Sequence, residues 1–254
     1  AWSFNHFTVL EAIDKDAAAG GKTIEFFPGQ KFSPENPAKF DQSSTKEMRD
    51  AVKAKLKEKD ITPIGFGVVG GLGKDEASAR AVFEFCKDMN IGIVVAEPTE
   101  TKEAYDIIEK LVKEFDIKMA IHNHPRRPTQ PSYRYWDPEY VLSMVKDRDP
   151  RMGSCADIGH FVRSGIKPLD AIHLLKGRIL DSHLKDLTEF GNPKAHDLPF
   201  GTGVSGIAEV LNEYASMGFY GPVDVEYEFH MEDNFAEVKQ CLDFVKNFKA
   251  TTTK

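Results

Sequence analysis

Cysteine is scarce. The three residues Cys86, Cys155 and Cys241 are widely spaced and odd in number, so no zinc-finger spacing can be drawn from them and free, mostly buried thiols are expected. Also missing is any run of about 18 apolar residues, which excludes a membrane-spanning helix and a membrane partner. No signal peptide is visible, which points to the cytoplasm. However, Ala1-Trp2-Ser3-Phe4 reads as the inside of a strand, so a leader removed upstream of residue 1, and with it a periplasmic location, stays open. An excess of positive charge is lacking too. A net charge of -7 argues against nucleic acid as a partner, because phosphate backbones demand clustered cations. A small phosphorylated sugar would need only one or two local cations. No domain linker, low-complexity run or close repeat stands out, so residues 1–254 are expected to form a single domain.

What is present is ordinary in bulk and ordered in detail. At 254 residues, 41% hydrophobic and 29% charged, the chain can bury a sizeable core. Apolar segments alternate with amphipathic ones. Strands are expected at Ala1–Phe4, Thr23–Phe27, Ile61–Val69, Ile91–Ala96, Ile117–Ile121, Met152–Asp157, Arg178–His183 and Pro222–Glu226. Helices fall between them. The first opens with Thr8 and Glu11 as a capping box and stops at Gly20-Gly21. Another opens with Asp137 as cap and Pro138 in the first turn. Gly70-Gly71-Leu72-Gly73 reads as a flexible turn. Long loops are expected at Phe27–Gln42, His122–Trp136 and Thr188–Gly203, and the tail Ala250–Lys254 is expected to fray. Strands such as Ile91–Ala96 are apolar throughout, as when both faces are buried. Eight such units in this length predict an α/β fold of the (β/α)8 TIM-barrel type rather than an open doubly wound sheet.

The candidate chemistry sits where those strands end. His122, Asp157, His183 and Glu226 each lie at or near the carboxyl end of a predicted strand, and in a barrel such positions face one mouth. A lone histidine at a strand end is more often a hydrogen-bonded core or rim residue; four candidates at corresponding ends argue for a site. Two imidazoles and two carboxylates form a donor set suited to a divalent Mn, Fe, Co or Zn rather than Ca. The carboxylates balance the ion's charge. The central expectation is therefore that these four residues converge on one divalent metal.

Three strings then carry a resemblance. Asp157-Ile158-Gly159-His160 resembles the Asp-x-x-His of the xylose-isomerase-like sugar phosphate isomerase/epimerase superfamily. His183-Leu184-Lys185-Asp186 resembles its His-Leu-Lys-Asp, and Val225-Glu226-Tyr227-Glu228 resembles the segment carrying its last Glu. The resemblance implies that Asp157, His183 and Glu226 are metal ligands and that His160 touches substrate. The chain departs from the family at His122-Asn123-His124, where a Glu-Asn-His string is common. His122 can still bind a metal but cannot supply the second carboxylate of an acid/base pair. Glu226 would then be ligand and base at once, with His124, Glu97 or Lys185 making the other proton transfer.

These parts predict a sugar isomerase or epimerase. A metal polarises adjacent carbonyl and hydroxyl oxygens and stabilises the enediolate left when the alpha proton is removed. Loss of a beta substituent instead would make a lyase or dehydratase, the alternative that the missing Glu encourages. Further candidates are weaker. Lys185 binds a substrate oxygen or pairs with Glu228, and Glu97 is either an active-site group or a rim salt bridge. Trp136 stacks on a sugar or packs in the rim. His196, with Gly201-Thr202-Gly203 behind it, lies in a loop that either wraps substrate or simply turns. The expected partner is a small sugar, and exposed loop aromatics leave a homodimer open.

Overall fold

The computed structural model describes residues 1–251; the last three residues of the tail expected to fray, 252–254, lie outside them. Seven strands follow chain order: β1 (Thr23–Phe26), β2 (Thr62–Leu72), β3 (Ile93–Pro98), β4 (Lys118–His122), β5 (Met152–Asp157), β6 (Ile179–Leu184) and β7 (Asp224–Val225). Helices alternate with them: α1 (Val9–Ala19), α2 (Lys46–Lys59), α3 (Glu76–Asp88), α4 (Lys102–Phe115), α5 (Pro138–Val145), α6 (Ile158–Arg163), α7 (Pro168–Leu174), α8 (Ile207–Met217) and α9 (Phe235–Asn247). This is the expected TIM-barrel class of fold. The described residues group into two compact units. The first is Ala1–Ala120 with His230–Phe235, and the second is Ile121–Phe229 with 236–251.

In the first unit β1, β2 and β3 pair in parallel. The helices there start where the sequence places caps. Thr8 Oγ1 accepts from Glu11 N while Glu11 Oε2 accepts from Thr8 N, closing the capping box of α1. α4 turns Ala104, Tyr105, Ile108, Leu111 and Val112 inward, the stripe that helical periodicity requires. Two expectations fail in this unit. Residues Trp2–Phe4 form a 3-10 turn and not a strand; so short an apolar run carries no period to tell the two apart. The predicted glycine turn is strand instead: β2 continues to Leu72, with Gly70 paired to Glu97 and Leu72 to Pro98. The loop after β1 holds a small antiparallel ribbon, Gln30–Lys31 with Lys39–Phe40.

In the second unit β5, β6 and β7 pair in parallel. Every residue of β5 is buried. Gly153 is required there, because a Cβ would meet the Arg178 carbonyl oxygen at 2.2 Å. The last strand is shorter than expected and keeps only Asp224–Val225. A short helix, α6, follows β5 directly where the sequence reading has none. Asp186–Leu187 and Asp197–Leu198 form a second small ribbon. All three cysteines are free and buried, and burial pushes the Cys241 thiol up to about 12. No helix among the described residues is long and apolar enough to cross a membrane.

Candidate metal centre

Strand register builds the site. Asp157, the last residue of β5, pairs with His183 on β6, and His183 pairs with Asp224 on β7. Alternate residues of a strand share a face, so Lys185 follows His183 and Glu226 follows Asp224 onto the same side. His122 ends β4. One donor atom from each of His122, Asp157, His183 and Glu226 lies within 4.8 Å of the others. Metal–N and metal–O bonds of about 2.0–2.2 Å demand little further approach.

The environment of His122 fits a ligand. It is buried, and neither ring nitrogen has a hydrogen-bond partner among the described residues. Its Nε2 stands 3.5 Å from Asp157 Oδ2. Buried polar atoms are rarely left without a partner. Burial, assisted by the neighbouring His124, lowers its pKa to about 4. The ring is therefore neutral at pH 7, the form that binds metals.

The carboxylates are differently placed. Asp157 caps α6, its Oδ1 accepting from His160 N at 2.7 Å. Its backbone is clamped by Asn123, whose Oδ1 accepts from Asp157 N at 2.8 Å and whose Nδ2 donates to Asp157 O at 3.0 Å. Lys185, fully buried, donates from Nζ to Asp157 Oδ2 at 2.5 Å and to Glu226 Oε2 at 2.6 Å. His183 Nδ1 is 2.8 Å from the same Glu226 oxygen. Burial opposes ionisation of both acids, but Lys185 and the adjacent imidazoles outweigh it and hold them well below the carboxylate range. Burial likewise opposes the lysine's charge, and Asp157 and Glu226 raise it above the ordinary lysine range. The Glu228 carboxylate is farther from Lys185, at 3.9 Å. Gly159 makes this packing feasible, since a Cβ there would lie 2.4 Å from Lys185 Cβ.

Beside this cluster lies a residue that the sequence reading missed. Arg163 donates to Glu228 Oε2 at 2.8 Å, Asp197 Oδ2 at 3.0 Å and Ala195 O at 3.1 Å. Its NH1 also stands 3.2 Å from His160 Nδ1. A guanidinium only donates, so His160 Nδ1 accepts and its Nε2 carries the proton, 3.6 Å from Asp157 Oδ2. Burial, with Lys185 and His122 nearby, lowers the His160 pKa well below its usual value. His160 is therefore a neutral donor aimed at Asp157. Burial pushes the Asp197 carboxyl up to about 7 against the pull of Lys185 and Arg163. The missed signal was spacing: Asp157, His160 and Arg163 recur every third residue along one helix face.

The remaining candidates differ in their surroundings. The His124 ring stands 4.5 Å from that of His122 and 5.3 Å from that of His160, and its backbone N–H donates to Tyr133 Oη at 2.9 Å. His196 is exposed and stacks on Phe229 at 4.3 Å. Trp136 is half-buried under the Arg126 guanidinium. Glu97 lies in β3 of the first unit, half-buried. The Gly201–Gly203 turn has a structural cause. Asp186 accepts from Gly201 N and Gly203 N, both at 2.9 Å, and from Ser205 N at 3.0 Å. A Cβ on Gly203 would lie 2.4 Å from Asp186 Oδ1.

Parallel strands joined by helices, with polar side chains gathered where successive strands end, define a β/α barrel. The family described as Xylose isomerase-like TIM barrel matches residues 13–248, and the chain belongs to it. No curated protein matches the chain. Among solved structures, an uncharacterized protein from Parabacteroides distasonis is 31% identical, with 98% of this chain and 96% of that one covered and a TM-score of 0.74. D-psicose 3-epimerase from Clostridium cellulolyticum is 14% identical, with 95% and 94% covered and a TM-score of 0.66. The probable 3-DHS dehydratase AsbF from Bacillus anthracis is 15% identical, with 97% of each chain covered and a TM-score of 0.69. At such low identity the last two show a shared fold alone.

Proposed function

We propose that the protein is a divalent-metal-dependent isomerase or epimerase of a sugar or sugar phosphate, with His122, Asp157, His183 and Glu226 as ligands. The observation that carries this reading is the convergence of four donors, one of them a buried imidazole with no hydrogen-bond partner among the described residues. Membership of the xylose-isomerase-like family supports it. A divalent ion, when bound, supplies polarisation of adjacent substrate oxygens and stabilises negative charge on them.

The protein's own groups do the rest. Glu226 is ionised and 12% exposed, so its carboxylate can take the alpha proton of a ketose. His124, half-buried beside His122 and His160, returns a proton to the carbon. Return to the opposite face gives the epimer, and return to the neighbouring carbon gives the isomer. His160, with its proton fixed on Nε2, donates to a substrate hydroxyl or carbonyl. Lys185 stays protonated between two carboxylates and serves as a charge, not as a base. Incubation of the metal-loaded protein with a panel of ketoses in deuterated water tests the reading. Solvent deuterium should enter the carbon next to the carbonyl, and no uptake from any sugar would rule enolisation out.

One observation favours a second reading, a lyase or dehydratase on a keto-sugar or polyol acid. With His122 in place of a carboxylate, the two proton-transfer groups are unlike: an acid and an imidazole. Such a pair suits elimination, in which one group takes the alpha proton and the other protonates the departing oxygen. An unsaturated carbonyl product, seen by its ultraviolet absorbance, would select this reading.

A further inference from the structure

We infer that Lys185 is a resident cation of the metal site: it holds Asp157 and Glu226 together when no ion is bound, and it competes with an ion for them. This rests on the metal reading above and adds a role to it.

The argument starts from an asymmetry among the four donors. The nitrogens of His122 have no hydrogen-bond partner among the described residues, whereas both carboxylates are already engaged. Asp157 Oδ2 and Glu226 Oε2 lie 2.5 and 2.6 Å from one ammonium nitrogen. Two buried carboxylates so close would repel each other, and a positive charge between them removes that repulsion. The lysine is built in rather than swung in. It is fully buried, and its stem runs against the bare Cα of Gly159, where any side chain would collide with it. The cluster then carries two negative charges and one positive before any metal arrives. A divalent ion leaves it with a single net positive charge, where a two-carboxylate site without the lysine would be neutral. Such a centre binds its ion less tightly and binds an anionic oxygen, such as an enediolate or a substrate carboxylate, more tightly.

Titration of metal-stripped wild type and Lys185→Met with Mn2+ against a chromophoric chelator, together with melting curves of both, tests this. Lys185→Met should bind Mn2+ at least tenfold more tightly than wild type. Its metal-free form should melt at a lower temperature, and saturating Mn2+ should raise that temperature by more degrees than in wild type. A variant that folds only when Mn2+ is added supports the inference in its strongest form. If the single variant never folds, Lys185→Met/Glu226→Gln decides: recovery of the fold supports the charge-matching role, and continued failure overturns it. Equal or weaker Mn2+ binding by Lys185→Met, or an unchanged metal-free melting temperature, overturns the inference but leaves the metal site standing. If wild type binds neither Mn2+ nor Zn2+, the metal reading falls and takes this one with it.

Discussion

Arg80 in the first unit and Lys185 in the second are both cations held by two carboxylates. Arg80 donates to Glu114 and Glu76 on the outer faces of α3 and α4, with its side chain 28% exposed. Lys185 reaches Asp157 and Glu226 with no exposure at all. The bonds are of similar length and their energetic meaning is opposite. A surface ion pair exchanges water for a partner at nearly equal free energy. An interior one has already lost its water, so removing one partner leaves a bare buried charge. The first unit carries many pairs of the former kind, such as Lys46–Asp50, Lys22–Asp60 and Lys102–Asp106. The second concentrates the latter kind in one network: Asp157, Lys185, Glu226, Glu228, Arg163 and Asp197.

The sharpest way to break this contrast is Asp157→Ala. It strips Lys185 of one counter-charge and α6 of its cap, and stability should drop by about 3–5 kcal/mol. Urea denaturation measures the drop, and a loss under about 1 kcal/mol would erase the distinction between the two regions. The same variant should retain no stoichiometric metal by elemental analysis. Next comes a pH effect confined to the interior. The His122 ring titrates near 4 when folded, against an ordinary 6.5. As pH falls from 6.5 to 4 the unfolded chain takes up the proton first, so the metal-free protein should lose about 3 kcal/mol across that window. His122→Gln should flatten this slope; an unchanged slope assigns it to other groups. Asp186→Asn should cost about 1–3 kcal/mol, because a neutral amide cannot accept from Gly201, Gly203 and Ser205 together. Faster hydrogen exchange at those three amides would show it. Smallest is Arg80→Ala in the first unit, expected within about 1 kcal/mol of wild type.

The cap residues Thr8 and Asp137 were readable in the sequence because capping is a local affair of three or four residues. The positions of His122, Asp157, His183 and Glu226 at or near strand ends were readable because an apolar run marks roughly where a strand stops. Length misled at the extremes: Trp2–Phe4 is too short to show a period, and β2 runs on through glycines that read as a turn. The supporting residues stayed hidden for another reason. Arg163 finds Asp197 and Glu228, Asn123 finds the Asp157 backbone, and Asp186 finds Gly201 and Gly203. Each of those partners is distant in the chain, and nothing local marks them. Lys185 was visible as a candidate with Glu228 as a partner, but its two closer carboxylates, Asp157 and Glu226, were not read as its partners. The expected Glu228 is the farthest of its three carboxylates.

Gly159 and Lys185 form a steric lock, since the lysine stem occupies the volume in which a side chain at position 159 would have to grow. Glycine should therefore persist at 159 among relatives wherever residue 185 carries a side chain. The nearest atom is the lysine's Cβ, at 2.4 Å, which every residue but glycine carries, so shortening the side chain at 185 does not make room for alanine or serine at 159. An alignment in which alanine at 159 coexists freely with lysine at 185 would show that the helix start can retreat from the strand, and that the tight seating of the lysine is not a property the family protects.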